Sequence, residues 1–212
     1  CLGFAFSGSS FAQSSSSTPI AALNDPAFLR AQHDAALSWD DYLATGDKSQ
    51  QENWRSTYDR VTLNDHQKSV LGGITREIRV IFLSGIWCGD CVRQGPMLQR
   101  IAEASNGRID LRFADRDEHA ELQSLLTVNA GRRVPVAVFC AEDYELVSTL
   151  GDKPLSRYRV MAAQKLGTSC PLPGGEVPQD ELQAELADWA DEVERVALIL
   201  RLSARLREKH GD

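Results

Sequence analysis

At 212 residues, with 42% hydrophobic and 25% charged residues and a formal net charge of −7, the chain has the profile of a globular domain with extensions. A core of that size needs no staples, and the five cysteines, at positions 1, 88, 91, 140 and 170, are too sparse and irregular for a secreted disulfide framework. The acidic balance, with no long basic stretch against it, excludes nucleic acid and anionic membrane as partners.

The apolar start "CLGFAFSGSSFA" is too short to span a bilayer. Residues 1–24 read as a disordered leader, because the serine run in "QSSSSTP" has nothing to bury. A cytoplasmic location is favoured. Export or lipid anchoring is the alternative if residues 1–12 are the remnant of a signal, cut after Ala12 or acylated at Cys1. Asp25-Pro26 then opens a helix, and Phe28, Ala35, Trp39 and Tyr42 form its apolar stripe up to Gly46. Trp54, Tyr58 and Val61 mark a second helix, and Asn64 with Gln67 reads as a capping box for a third that carries Val70, Leu71 and Ile74.

From Ile78 the pattern changes. "IRVIFLS" is nearly continuous and β-branched, as in a strand buried on both faces. A helix follows from Cys88 to about Ser105, with Met97, Leu98 and Ile101 inward, then a strand over Ile109–Phe113 and a helix over Glu118–Leu126. "VPVAVF" (Val134–Phe139) and "YELVSTL" (Tyr144–Leu150) lie close enough for a hairpin, followed by a helix over Pro154–Leu166. This order implies an α/β fold with a mixed sheet flanked by helices. After the link Cys170–Pro178, Asp180 starts a long terminal helix whose stripe is Leu182, Leu186, Trp189, Val193, Val196 and Leu200. Packing within the chain is the favoured use of that stripe, with a dimer interface as the alternative.

The chemistry concentrates in "SGIWCGDCVRQGP" (Ser84–Pro96). A strand running into Cys88, with a helix starting there, places the thiol among unpaired N–H groups that stabilise a thiolate. Cys91 lies one turn on, within reach of a mixed disulfide formed on Cys88. Gly89 leaves the approach uncrowded, and Trp87 offers a flat apolar wall beside the sulfur. Asp90 opposes the positive helix end, which is expected to make Cys88 less acidic and the couple more reducing. Two cysteines in one helical turn staple nothing distant. A metal site would need a second ligand pair that Cys140, Cys170, His33, His66, His119 and His210 do not provide, so no metal is expected. Cys140 reads as a core thiol and Cys170 as an exposed loop thiol. Arg132 and Arg133 are either ordinary surface charges or a lure for an acidic substrate.

"WCGDC" (Trp87–Cys91) resembles the active-site motif of the thioredoxin superfamily, with Asp90 where that family usually has proline. Pro96 resembles the proline of its active-site helix, and Val134-Pro135 resembles its cis-proline segment. Phe82 departs from the pattern, standing where many members have a buried acid six residues before the first cysteine. The resemblance covers about residues 61–166. It implies a single thioredoxin-like domain over 25–212, with helical additions at 25–60 and 180–210. It also implies a thiol–disulfide oxidoreductase of protein disulfides in which Cys88 attacks and Cys91 resolves. Trp87, Val134 and Pro135 would hold the substrate, and Asp90 and Gly89 would tune the couple. No bound cofactor is implied beyond the redox-active Cys88–Cys91 pair; the partners would be a disulfide-containing protein or small thiol substrate and a separate reductant. The alternatives are a reductase of low-molecular-weight thiol mixed disulfides and a non-catalytic interaction protein of the same fold.

Overall fold

In the computed structural model, which describes residues 22–166 and 178–212, most of the flanking helices begin where a short polar side chain holds an exposed N–H. Asp25 caps α1 (Pro26–Ala35) by accepting from the Ala27 N–H at 2.9 Å. Ser38 caps α2 (Trp39–Ala44), and full capping boxes close the starts of α3 (Lys48–Arg60; Asp47 with Gln50) and α4 (Asp65–Gly72; Asn64 with Gln67). The single helix expected from Asp25 to Gly46 is therefore two. Its periodicity is broken at Leu37, whose N–H and C=O pair with Phe113 at 2.9 and 2.8 Å instead of continuing the helix. Leu29, His33 and Ala36 form the buried stripe of α1, and Ala35 is exposed.

The sheet is built from β1 (Ile78–Ser84), β2 (Ile109–Asp115), β3 (Val136–Ala141) and β4 (Leu146–Gly151), in the order β2-β1-β3-β4. β1 is parallel to β2 and antiparallel to β3, and β3 and β4 form the expected antiparallel pair. Between β1 and β2 runs α5 (Gly89–Ala104); α6 (Ala120–Leu125) and α7 (Leu155–Leu166) follow β2 and β4. Two strand boundaries differ from the sequence reading. Val134-Pro135 precedes β3 rather than belonging to it. Tyr144 sits in the β3–β4 turn at φ 67, where its ring packs edge-on against buried His33.

The C-terminal segment is also two helices, α8 (Glu181–Leu202) and α9 (Ala204–His210), because Ser203 leaves the helical conformation and caps α9 through the Leu206 N–H. α8 packs on α4, α5, α7 and β4. Of its expected stripe, Leu186, Trp189, Val193, Val196 and Leu200 are buried, and Leu182 is partly buried against them. These residues join Leu29, Tyr42, Leu43 and Trp54 from the N-terminal helices in one cluster with the strand interiors. Within the leader expected over 1–24, Ala22 and Leu23 are helical, and Leu23 has core side chains to pack against. Residues 1–21 of that leader, with Cys1, and the link carrying Cys170 lie outside the described residues. No described helix is long and apolar enough to cross a membrane.

Candidate active site

The strand-to-helix junction is held from below by the added helices. Trp54 of α3 donates its indole N–H to the Ile86 carbonyl at 3.0 Å, fixing the turn that delivers Cys88. The Trp54 ring fills the space over Gly95 of α5: a Cβ there would fall 2.2 Å from the indole and 3.2 Å from Phe82. Phe82 itself is fully buried and meets Phe113 and Trp189 edge to face, so the residue that departs from the family pattern is an apolar core residue.

Cys88 is the N-cap of α5 and is partly exposed, whereas Cys91, one turn on, is fully buried. Both thiols are free. The Cys91 thiol donates to the Cys88 sulfur, and the N–H groups of Cys91 and Asp90 add to that, against burial and the Asp90 charge. Together they bring the Cys88 pKa from 9.0 down to about 6. The same arrangement pushes Cys91 far above the usual thiol range, through burial first and then through its bond to Cys88. Asp90 raises the Cys88 pKa, in the expected direction, but its charge is outweighed by these hydrogen bonds. Asp90 Oδ2 is paired with Lys153 Nζ at 2.9 Å, a cation that sequence spacing gave no cause to place there.

Lys153 also binds Asp152 Oδ2 at 2.9 Å, and Asp152 is almost fully buried. Burial would raise the Asp152 carboxyl, but the Tyr158 hydroxyl and Lys153 more than offset it and leave its pKa at about 2. Arg133 Nη1 reaches the same carboxylate at 3.3 Å, so one of the two arginines before Val134 has an internal partner. Gln94 of α5 donates to the Asp152 carbonyl at 3.1 Å, tying this cluster to the cysteine helix.

The Val134–Pro135 peptide is cis, and the Val134 carbonyl oxygen lies 3.8 Å from Cys88 Sγ. Gly151 at the end of β4 lets this segment pack closely: a Cβ there would meet the Pro135 oxygen at 2.8 Å. Trp87 is 57% exposed, covers the Gly85 backbone and has the Arg116 guanidinium 5.9 Å from its ring centre. The space around Gly89 is open. Trp87, Cys88, Gly89, Asp90 and Cys91 at the start of α5 thus lie with the Val134–Pro135 segment beside them: a partly exposed thiol of lowered pKa, a buried second thiol and an exposed aromatic. Such a site is suited to disulfide exchange. Cys140 is apart from it, buried in β3, where burial pushes its pKa up to about 12. Pro96 is buried within α5, and Trp39 packs on Trp54, Tyr58 and Phe113. Among the described residues no group of three His, Cys, Asp or Glu is placed to hold a metal ion. The sequence reading missed Lys153 and Asp152.

A family model described as thioredoxin matches residues 36–165, more than half of the chain. The chain belongs to the thioredoxin family. Among solved structures it is similar to a protein of unknown function from Pseudomonas aeruginosa, at 14% identity and a TM-score of 0.60 over 80% of this chain and 95% of that one. It is also similar to an HIV epitope-scaffold, at 17% identity and a TM-score of 0.55 over 82% and 98% of the two chains. Comparison with curated proteins gives no match. At these identities the likeness is one of fold, and family membership supports a redox or other thioredoxin-fold function in general.

Proposed function

We propose that the protein is a dithiol–disulfide oxidoreductase acting on protein disulfides. The observation that carries this reading is the pairing of a half-exposed, acidic Cys88 beside the cis Val134–Pro135 segment with a buried Cys91 one turn away. The Cys88 thiolate attacks one substrate sulfur, and the other leaves as a thiolate that takes up a proton. Cys91 then attacks Cys88 Sγ; the mixed disulfide breaks, the Cys88–Cys91 bond forms, and the second substrate sulfur departs. The substrate gains two electrons and the protein loses two, to be restored by a separate dithiol reductant. Trp87 and the Val134 backbone flank the path of an extended substrate, and no bound cofactor is required.

Reduction of insulin disulfides, driven by dithiothreitol, tests this. Wild-type protein should turn over, and Cys88→Ser and Cys91→Ser should not. Activity retained by Cys91→Ser on small-thiol mixed disulfides would favour a reductase that needs Cys88 alone. Absence of turnover in every form would leave an interaction role for the fold.

A further inference from the structure

Two walls of the site come from parts of the chain far apart in sequence. Cys88 and Asp90 open α5, whereas Val134–Pro135 ends the connection from α6 to β3. That connection, residues 126–135, holds no helix or strand, and its backbone pairs only in the single bridge between Val128 and Gly131. Such a loop has little of its own to fix where its last residues stand. The Val134 oxygen nevertheless comes within 3.8 Å of Cys88 Sγ.

Asp152, the first residue after β4, reaches both walls. Its neighbour Gly151 is paired with Val136 in the sheet, which brings Asp152 to the head of β3. Asp152 Oδ2 accepts from Arg133 Nη1 at 3.3 Å, one residue before Val134. The same oxygen accepts from Lys153 Nζ at 2.9 Å, and Lys153 Nζ lies 2.9 Å from Asp90 Oδ2. Asp152 Oδ1 accepts from the Tyr158 hydroxyl of α7, and the Asp152 carbonyl accepts from Gln94 Nε2 of α5 at 3.1 Å. A carboxylate 2% exposed is costly to keep ionised alone, and here three donors hold it. Without it Arg133, whose side chain is 48% exposed, is free to turn to solvent and release the loop.

From this geometry we infer that Asp152 is the positioning residue that sets the gap between Cys88 and the Val134–Pro135 segment, with Arg133 as its link to the loop and Lys153 as its link to α5. The inference rests on the dithiol reading above and deepens it. Asp152 makes and breaks no bond in the exchange; it acts through the two cations. A disulfide within a polypeptide has to enter the gap with its flanking backbone, whereas a small aromatic disulfide needs only the exposed part of Cys88. Asp152 therefore governs the binding of polypeptide disulfides and leaves the reactivity of the Cys88 thiolate alone.

Initial rates of insulin reduction by dithiothreitol, taken against insulin concentration, give KM and kcat. Reaction with dithiodipyridine, at a pH well above the Cys88 midpoint, gives the reactivity of the thiolate itself. A Cys1→Ser, Cys170→Ser background removes the two cysteines outside the described residues. Asp152→Asn, which keeps the shape and loses the charge, should raise KM for insulin on the order of tenfold, the scale of one hydrogen bond to a charged group, with kcat and the dithiodipyridine rate within about twofold of wild type. Arg133→Met should do the same. Arg133→Lys should restore the wild-type KM, because the contact is one nitrogen on one oxygen rather than a two-pronged fork. In the double variant Asp152→Asn, Arg133→Met the two increases should fall well short of multiplying, since both break one link. A wild-type KM in both single variants would overturn the assignment, as would equal losses toward insulin and dithiodipyridine, or increases that multiply. Should Asp152→Asn not fold, Arg133→Met set against Arg133→Lys decides by the same readings. A wild-type protein that does not reduce insulin would overturn the dithiol reading itself, and this inference with it.

Discussion

Lys153 closes on Asp90 across 2.9 Å, and in doing so it places a cation from the turn between β4 and α7 against the carboxylate inside the CxxC. With 11% of its side chain exposed, Lys153 is shielded from salt, and its second partner Asp152 holds it in place.

The first expectation follows from that pair. Asp90→Asn should lower the Cys88 pKa by less than about one unit, because Lys153 already cancels most of the Asp90 field. Lys153→Met should raise it, by exposing Cys88 to an uncompensated Asp90. Thiolate absorbance against pH measures both. Shifts of the same sign in the two variants would show that the pair does not act on Cys88 as a pair.

Cys88 should alkylate with a pH midpoint near 6 rather than 9.0. Iodoacetamide labelling of the reduced protein followed by peptide mapping checks this, with Cys91 and Cys140 left unlabelled because both are buried. The same depressed pKa links to stability. Between about 6 and 9 the unfolded chain binds more protons at this thiol than the folded one, so the contribution of Cys88 grows as pH rises and is lost below 6. Preferential labelling of Cys91 would reverse the assignment of attacking thiol.

Deleting residues 180–212 should abolish stable folding. Leu186, Trp189, Val193, Val196 and Leu200 are all buried, and at about 2 kcal/mol each their burial is on the order of the whole stability of a domain. Circular dichroism melting of the truncated chain is the measurement. A cooperative melt at the full-length temperature would mean that α8 serves something other than the core.

Gly95→Ala should destabilise by about 1–3 kcal/mol, the usual range for overpacking, since the new methyl meets the Trp54 ring at 2.2 Å and neither ring nor helix has room to move. Because Trp54 also holds the Ile86 carbonyl, the same variant should slow the Cys88 reaction. Denaturant unfolding and the alkylation rate report the two effects. A neutral result in both would mean that the ring gives way freely.

The sheet and the site were legible in the sequence for different reasons. β1 was visible to the residue, because a strand buried on both faces is written as a continuous apolar run. The cysteines announced themselves because their chemistry depends on local spacing. The N-terminal helices were legible as helices but not in their breaks. Nothing in the Phe28–Tyr42 periodicity reveals that Leu37 pairs with Phe113, some 76 residues on. The Lys153–Asp90 pair was invisible for the same reason: Asp152 is its neighbour in sequence, but Asp90 lies 63 residues away and meets it only in the folded chain.

The Leu37 bridge also bears on how this chain behaves in a crowd. β2 is an outer strand of the sheet, and the free N–H and C=O groups of an outer strand are a template for any passing extended chain. Leu37 occupies the rung at Phe113 with two hydrogen bonds, and the chain then turns at once into α2, which leaves no room for an incoming strand to continue. The remaining rungs of β2 carry Asp110 and Arg112, charges that resist being laid against another sheet. At the β2 side of the sheet, a passing extended chain therefore finds the edge already interrupted at Phe113.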